Sequence, residues 1–302
     1  MSNDCNPPPA AVGLMARGLY VWLWPLPKDP ARVAADLRAL GVRGVIPQQS
    51  DDAPAWCRRH GRAFVDAGLE VIVGLGKNNP ASIHDALTVP GAAGVMLDWE
   101  GWWDGQRALA DRTATAVLAD HPDAAERIVD CPWWAPLFYL RRSGAKVARA
   151  ATHPSAPTRE FGRIVHRRFV QAYGANVGPE DGHSARLLAW SRDPSQYASM
   201  GAWDIRPALQ MYRRSVRDHV ELLLAELDSG AVALWDWGEA DAACVVALRA
   251  VEALRARGFA GPGAVARFQS QAGLAADGVV GPRTCAALGV AVPAAGVPWS
   301  RR

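Results

Sequence analysis

Between residues 18 and 257 the chain alternates short apolar runs with amphipathic stretches. The runs at 18–24, 42–47, 69–75, 92–99, 127–131, 168–173, 207–212 and 231–235 read as strands, being short, rich in Val, Ile, Leu and aromatics, and bounded by turn residues. Helical spacing fills the intervals. It spans 30–40, with Asp29 as its cap, 53–67, closed by Gly68, a short stretch after Pro80, and 106 to about 121. Helices at 184–200, 215–227 and 241–257 follow the last three strands. Eight strands, nearly each followed by a helix, predict an α/β fold of the (β/α)8 barrel type. An open doubly wound sheet is the competing arrangement and suits a count of eight less well. Residues 132–167 form an irregular crossover rich in Arg, His and Pro, with one helix expected near 137–147.

A different pattern closes the chain. Val265 and Phe268 fall at helical spacing, Gly273 is a helix stop, and Asp277-Gly278 and Gly281-Pro282 are turn dipeptides. Thr284 is placed to cap a last turn running to Leu288. By themselves these signals describe a helical hairpin. The order Phe268-Gln269, Gly273-Leu274, Asp277-Gly278, Val280-Gly281-Pro282 and Thr284 resembles the C-terminal half of the peptidoglycan-binding domain of bacterial and phage cell-wall hydrolases. That resemblance implies a small all-α module addressed to peptidoglycan, with Phe268, Gln269, Asp277, Gly278, Gly281 and Thr284 as its characteristic residues. Only residues 258–263 separate the Phe-Gln helix from the helix before it, so the module is trimmed. The expected organisation is a flexible segment over 1–17, a barrel over 18–243, the module over 244–290, and a tail over 291–302. The helix at 244–257 is a candidate for sharing between barrel and module.

Composition narrows the class. Half of the 302 residues are hydrophobic, enough for a full core. A net charge of +3 is too small to point to nucleic acid. The five cysteines, scattered and odd in number, read as free thiols of a reducing compartment. The first nine residues are polar and proline-rich, and neither a secretion signal nor a membrane span is visible. A wall-directed monomer without an export signal is expected to be made in the cytoplasm and to meet the wall when a phage lyses its host.

The candidate chemistry sits where a barrel places it, at the C-terminal strand ends. The fourth strand ends Gly94-Val95-Met96-Leu97-Asp98-Trp99-Glu100, and alternation puts Asp98 and Glu100 on one face with Gly94 and Met96. Gln171 with Tyr173 and Gln210 with Tyr212 repeat a paired polar pattern on the sixth and seventh strands. Asp236 closes the eighth strand, but its inward or outward parity is open. Most of the 13 tryptophans fall near strand ends, among them Trp22, Trp24, Trp102, Trp103, Trp235 and Trp237. At a rim, indoles stack on the apolar faces of sugar rings, whereas some are expected simply to fill the core.

At Asp98-Trp99-Glu100 the chain is similar to the fourth-strand motif of chitinase-type hydrolases, and also to the Asp-x-Glu of barrel-fold muramidases. The first Asp of the chitinase motif is Met96 here, and the first strand carries Trp22 and Trp24 where the muramidases place an acid. The resemblance implies Glu100 as general acid and Asp98 as the group that holds the substrate's 2-acetamido arm for attack on the anomeric carbon. Tyr173 or Tyr212 would bind the same arm, and Asp236 is a further candidate. Seven histidines show no His-Glu-x-x-His, and neither a nucleophile elbow nor a phosphate loop is present, so no metal or cofactor is expected. The leading expectation is a peptidoglycan glycosidase. The alternatives are a wall-binding barrel without chemistry and an amidase or peptidase.

Overall fold

The computed structural model describes residues 14–48, 52–76, 79–98, 107–131, 163–165, 167–171, 204–211, 214–293, 297 and 299. The strands are β1 (Gly18–Leu23), β2 (Val42–Pro47), β3 (Glu70–Leu75), β4 (Ala92–Leu97), β5 (Ile128–Asp130), β6 (Arg167–Gln171), β7 (Asp204–Gln210) and β8 (Ala231–Trp235). They hydrogen-bond in sequence order and close into a barrel, with β1 pairing parallel to both β2 and β8. The (β/α)8 barrel is therefore the fold, and the open sheet is excluded. The helices are α1 (Pro30–Ala39), α2 (Ala53–Asp66), α3 (Pro80–Leu87), α4 (Arg107–Asp120), the single turn α5 (Ala124–Arg127), α6 (Val216–Ser229) and α7 (Ala242–Ala256). Beyond the barrel lie α8 (Ala264–Gln271) and α9 (Pro282–Leu288). The helices expected at 137–147 and 184–200 lie outside the described residues.

Local signals explain the helix starts. Asp29, Asn79, Ser215 and Asp241 each accept a backbone N–H from the first turn of the helix they precede. Gly68 stops α2 in the left-handed region, at φ +78°.

Strand alternation divides the core in two. Tyr20, Trp22, Ile46, Ile72, Met96, Val129, Phe169, Ala208 and Ala233 fill the barrel interior. Their sequence neighbours, such as Val21, Val45, Val73, Val95, Leu209 and Leu234, face the helices. Large interior side chains need small neighbours. A Cβ at Gly44 would stand 2.7 Å from the Tyr20 ring, too close to tolerate. At the N-terminal end the Tyr20 hydroxyl donates to Glu70, which also receives Arg43.

Described residues at the inner edge of one terminal segment and within the other are packed. Leu14 and Met15 are buried in the barrel interior, and Arg167 donates to the Leu14 carbonyl. Their apolar side chains cover the open N-terminal end of the ring, which nothing in their short local pattern announced. Val297 and Trp299, placed in the tail, pack against the outer core, and the Trp299 carbonyl accepts the Arg217 amide of α6.

Helix α7 packs on α6 and also on α8 and α9. Its buried residues join one continuous apolar cluster with Val265, Phe268, Val280, Cys285 and Leu288. Arg257, at its end, donates to the Leu288 carbonyl.

His219 of α6 is buried, and its Nε2 has no partner among the described residues. Burial first, and the positive charge of Arg214 second, push the imidazole down to about 3. The folded chain thus keeps His219 neutral where an unfolded chain takes up a proton, below about 6.5. Stability from this group is complete above that pH and falls as pH drops toward 3, by up to about 1.4 kcal/mol per unit. Urea unfolding of wild type and His219→Gln between pH 7 and 5 should show the steeper loss in the wild type. Equal slopes would contradict this account.

Candidate functional site

The C-terminal strand ends form one rim. Alternation continues the inward rows from Ile46 to Gln48, Ile72 to Gly74, Met96 to Asp98, Val129 to Cys131, Ala208 to Gln210 and Ala233 to Trp235. Gln48, Asp98 and Gln210 are all buried. The ladder runs one residue past β4, since Asp98 N–H donates to the Leu75 carbonyl at 2.8 Å and Cys131 N–H to the Leu97 carbonyl at 2.7 Å. Asp98 therefore stands on fixed backbone rather than on a loop. Its Oδ2 accepts the Gln48 side-chain amide at 2.6 Å, and Gln48 Oε1 in turn accepts the Trp22 indole N–H at 2.7 Å. Gln48 went unnoticed in the sequence. Its one visible signal was its offset of two residues from the inward Ile46.

The tryptophans divide by position. Trp22 is fully buried, so it offers no ring face for stacking; interior parity and its bond to Gln48 keep it in the core. Trp24 is the exposed large hydrophobic of the described residues, at 39 %. Trp235 lies between them, edge-on to Trp22 at 5.7 Å and tilted over Trp24 at 6.2 Å. Trp237 packs against the outer cluster between strands and helices.

Asp236 is buried and caps the 3-10 turn Trp237–Glu239, its carboxylate accepting the Glu239 N–H at 2.9 Å. Burial, with the charge of Glu239 next, raises its pKa against the pull of that same backbone bond and one from Gly238. The Trp235–Asp236 peptide is cis. Glu100, Trp102, Trp103, Tyr173, Tyr212 and the Gln171 side chain lie outside the described residues.

The characteristic residues of the C-terminal module meet each other. Gln269, itself buried, donates from Nε2 toward Asp277 Oδ1 at 2.8 Å, the Val279 carbonyl at 2.9 Å and Thr284 Oγ1 at 3.1 Å. Its Oε1 accepts the Gly278 N–H at 2.8 Å. Backbone donation from Val279, and then the Gln269 amide, hold the Asp277 carboxyl below its ordinary range. Phe268 packs edge-on against Phe259 at 5.5 Å. Thr284 does not cap the last helix as expected. Pro282, which has no N–H to satisfy, opens α9 after Gly281, and Thr284 is buried within it.

Residues 263–288 match the family described as "Putative peptidoglycan binding domain". No curated protein matches the chain. Among solved structures, the chain is similar to YagE, a prophage protein of the dihydrodipicolinic acid synthase family from E. coli K12. The identity is 16%, the coverage 80% of this chain and 75% of that one, and the TM-score 0.46. It is also similar to the spore cortex-lytic enzyme SleL of Bacillus megaterium QM B1551, at 10% identity over 80% and 75%, TM-score 0.47. A third is triosephosphate isomerase from Bartonella henselae, at 14% identity over 78% and 99%, TM-score 0.43. Such low identities concern the fold alone. Among the described residues no cluster of three or more His, Cys, Asp or Glu could hold a metal, and no helix is long and apolar enough to cross a membrane.

Gln269→Leu removes the partner of several groups at once, leaving Val279 and Gly278 backbone groups without it. A loss of about 2–4 kcal/mol in the loop that follows α8 is expected. Hydrogen exchange read at the Gly278 amide measures it directly, and wild-type protection there would show that Gln269 does not hold the loop.

Proposed function

We propose that the chain is a peptidoglycan glycan-strand hydrolase, whose barrel cleaves beside an N-acetylated sugar while its C-terminal module holds the wall. The observation that carries this reading is Asp98, anchored by Gln48 at the barrel mouth on the same chain as a peptidoglycan-binding match over 263–288. Asp98 would accept a hydrogen bond from the amide of the 2-acetamido group and turn its carbonyl oxygen toward the anomeric carbon. Glu100, two residues on, would give its proton to the glycosidic oxygen as that bond breaks. Water would then open the cyclic intermediate, returning its proton to Glu100 and leaving a reducing end. Trp24 and Trp235 are the candidate stacking surface for a sugar ring beside this centre. Of the remaining candidates, Tyr173 or Tyr212 would hydrogen-bond the acetamido group, with Gln171 and Gln210 along the same rim.

A muramidase or glucosaminidase of the wall is the finer reading, and an endolysin its fitting biological setting. The module would raise the local concentration of glycan at the mouth without taking part in the bond cleavage.

Glu100→Gln should lower release of reducing ends from purified sacculi roughly 100- to 10,000-fold, while sedimentation with sacculi is unchanged. Undiminished release in that variant would remove Glu100 from the mechanism. Freed stem peptides without new reducing ends, seen by mass spectrometry, would make the protein an amidase or peptidase instead.

A further inference from the structure

We infer that Gln48 is the positioning residue for Asp98, and that Trp22 decides which end of the Gln48 amide does the work. Its catalytic consequence rests on the glycosidase reading above, while the contact itself rests on geometry.

An indole N–H can only donate, so the Gln48 atom 2.7 Å from Trp22 Nε1 must be the amide oxygen. That choice turns Nε2 toward Asp98, where it stands 2.6 Å from Oδ2. An amide NH2 also can only donate, so Asp98 must present an acceptor oxygen, and the carboxylate form does so with a charge-assisted bond. The three buried side chains thus form a one-way relay from β1 through β2 to β4, in which no member can be reversed without breaking a bond.

The relay has to cross β3, and the residue there is Gly74. A Cβ at that position would stand 2.8 Å from the Gln48 Cβ and 3.1 Å from both its Oε1 and the Pro47 carbonyl. Any side chain at 74 would push Gln48 off its line to Asp98. Along β4 itself the preceding inward residue is Met96, which has no donor to offer. The second strand supplies a side-chain donor, which Met96 cannot. A carboxylate that must grip an acetamido group while charge develops at the adjacent carbon gains from being held in one rotamer, and Gln48 does the holding.

The test uses the full chain on purified sacculi, with reducing ends as the steady-state readout. Gln48→Leu should lower kcat roughly 10- to 100-fold with KM changed by less than about 3-fold. Gln48→Glu keeps an acceptor for Trp22 but sets a second carboxylate against Asp98. Its activity should be depressed at pH 7 and recover toward pH 5, where the pair shares a proton. A residue serving only the fold would not create that pH dependence. Wild-type kcat in Gln48→Leu, or a Gln48→Glu loss that is the same at both pH values, overturns the inference.

A second measurement needs no activity. Urea midpoints of Gln48→Leu, Asp98→Ala and the double variant should be non-additive, because each removes the other's partner. Additive midpoints overturn the contact. Should wild type release no reducing ends while the midpoints remain non-additive, the glycosidase reading fails and the positioning contact stands.

Discussion

Eight parallel strands that close on themselves leave the interior little room, and each level of the barrel must be filled without overlap. Large residues on one strand are therefore matched by glycine on the next. Gly44 admits the Tyr20 ring and Gly74 admits Gln48, while Gly94 on β4 leaves room for Leu14 from the segment before β1. Lower in the barrel this matching yields an apolar plug. At the mouth the same rule has a polar result, since the gap at Gly74 lets an amide from β2 reach a carboxylate on β4. Packing and the candidate chemistry thus share one cause.

The mouth has two faces of different character. One is the polar row of Gln48, Asp98 and Gln210, set on strand ends whose backbone is still hydrogen-bonded. The other is the aromatic step from buried Trp22 through Trp235 to exposed Trp24. The sugar proposed as substrate would present the complementary pair, an apolar ring face beside hydroxyl and amide groups. Trp22 belongs to both faces, packing against Trp235 while its N–H orders Gln48.

The C-terminal segment carries its resemblance in residues that hold its own loop together. Gln269 satisfies both sides of the turn at Asp277-Gly278 and reaches Thr284 at the start of the next helix. Side chains so fully engaged build the loop's shape, and a wall polymer would read that shape and the exposed groups around it. The shared apolar cluster between α7 and the two short helices seats this segment directly on the barrel wall.

How much was legible follows from the range of each force. Periods of two and of 3.6 residues record which face of an element is buried, so the strands, the described helices, the cap at Asp29 and the parity of Asp98 with Met96 could be read in order. The turn dipeptides and the Phe268-Gln269 pattern were equally local. Trp22 was expected at the rim and lies in the interior, because periodicity tells the face of a strand and not the depth at which a side chain ends. Trp237 opens the 3-10 turn after β8, where strand alternation has ended, and it joined the outer cluster. Leu14, Met15 and Trp299 found partners far along the chain that no local pattern announces. The sequence by itself determined the eight-fold repeat, the acid on the fourth strand and the closing motif, all set by spacing between neighbours. Only the tertiary structure decided that Gln48 serves Asp98, because that bond spans 50 residues of sequence and exists through the closure of the ring and the empty place at Gly74.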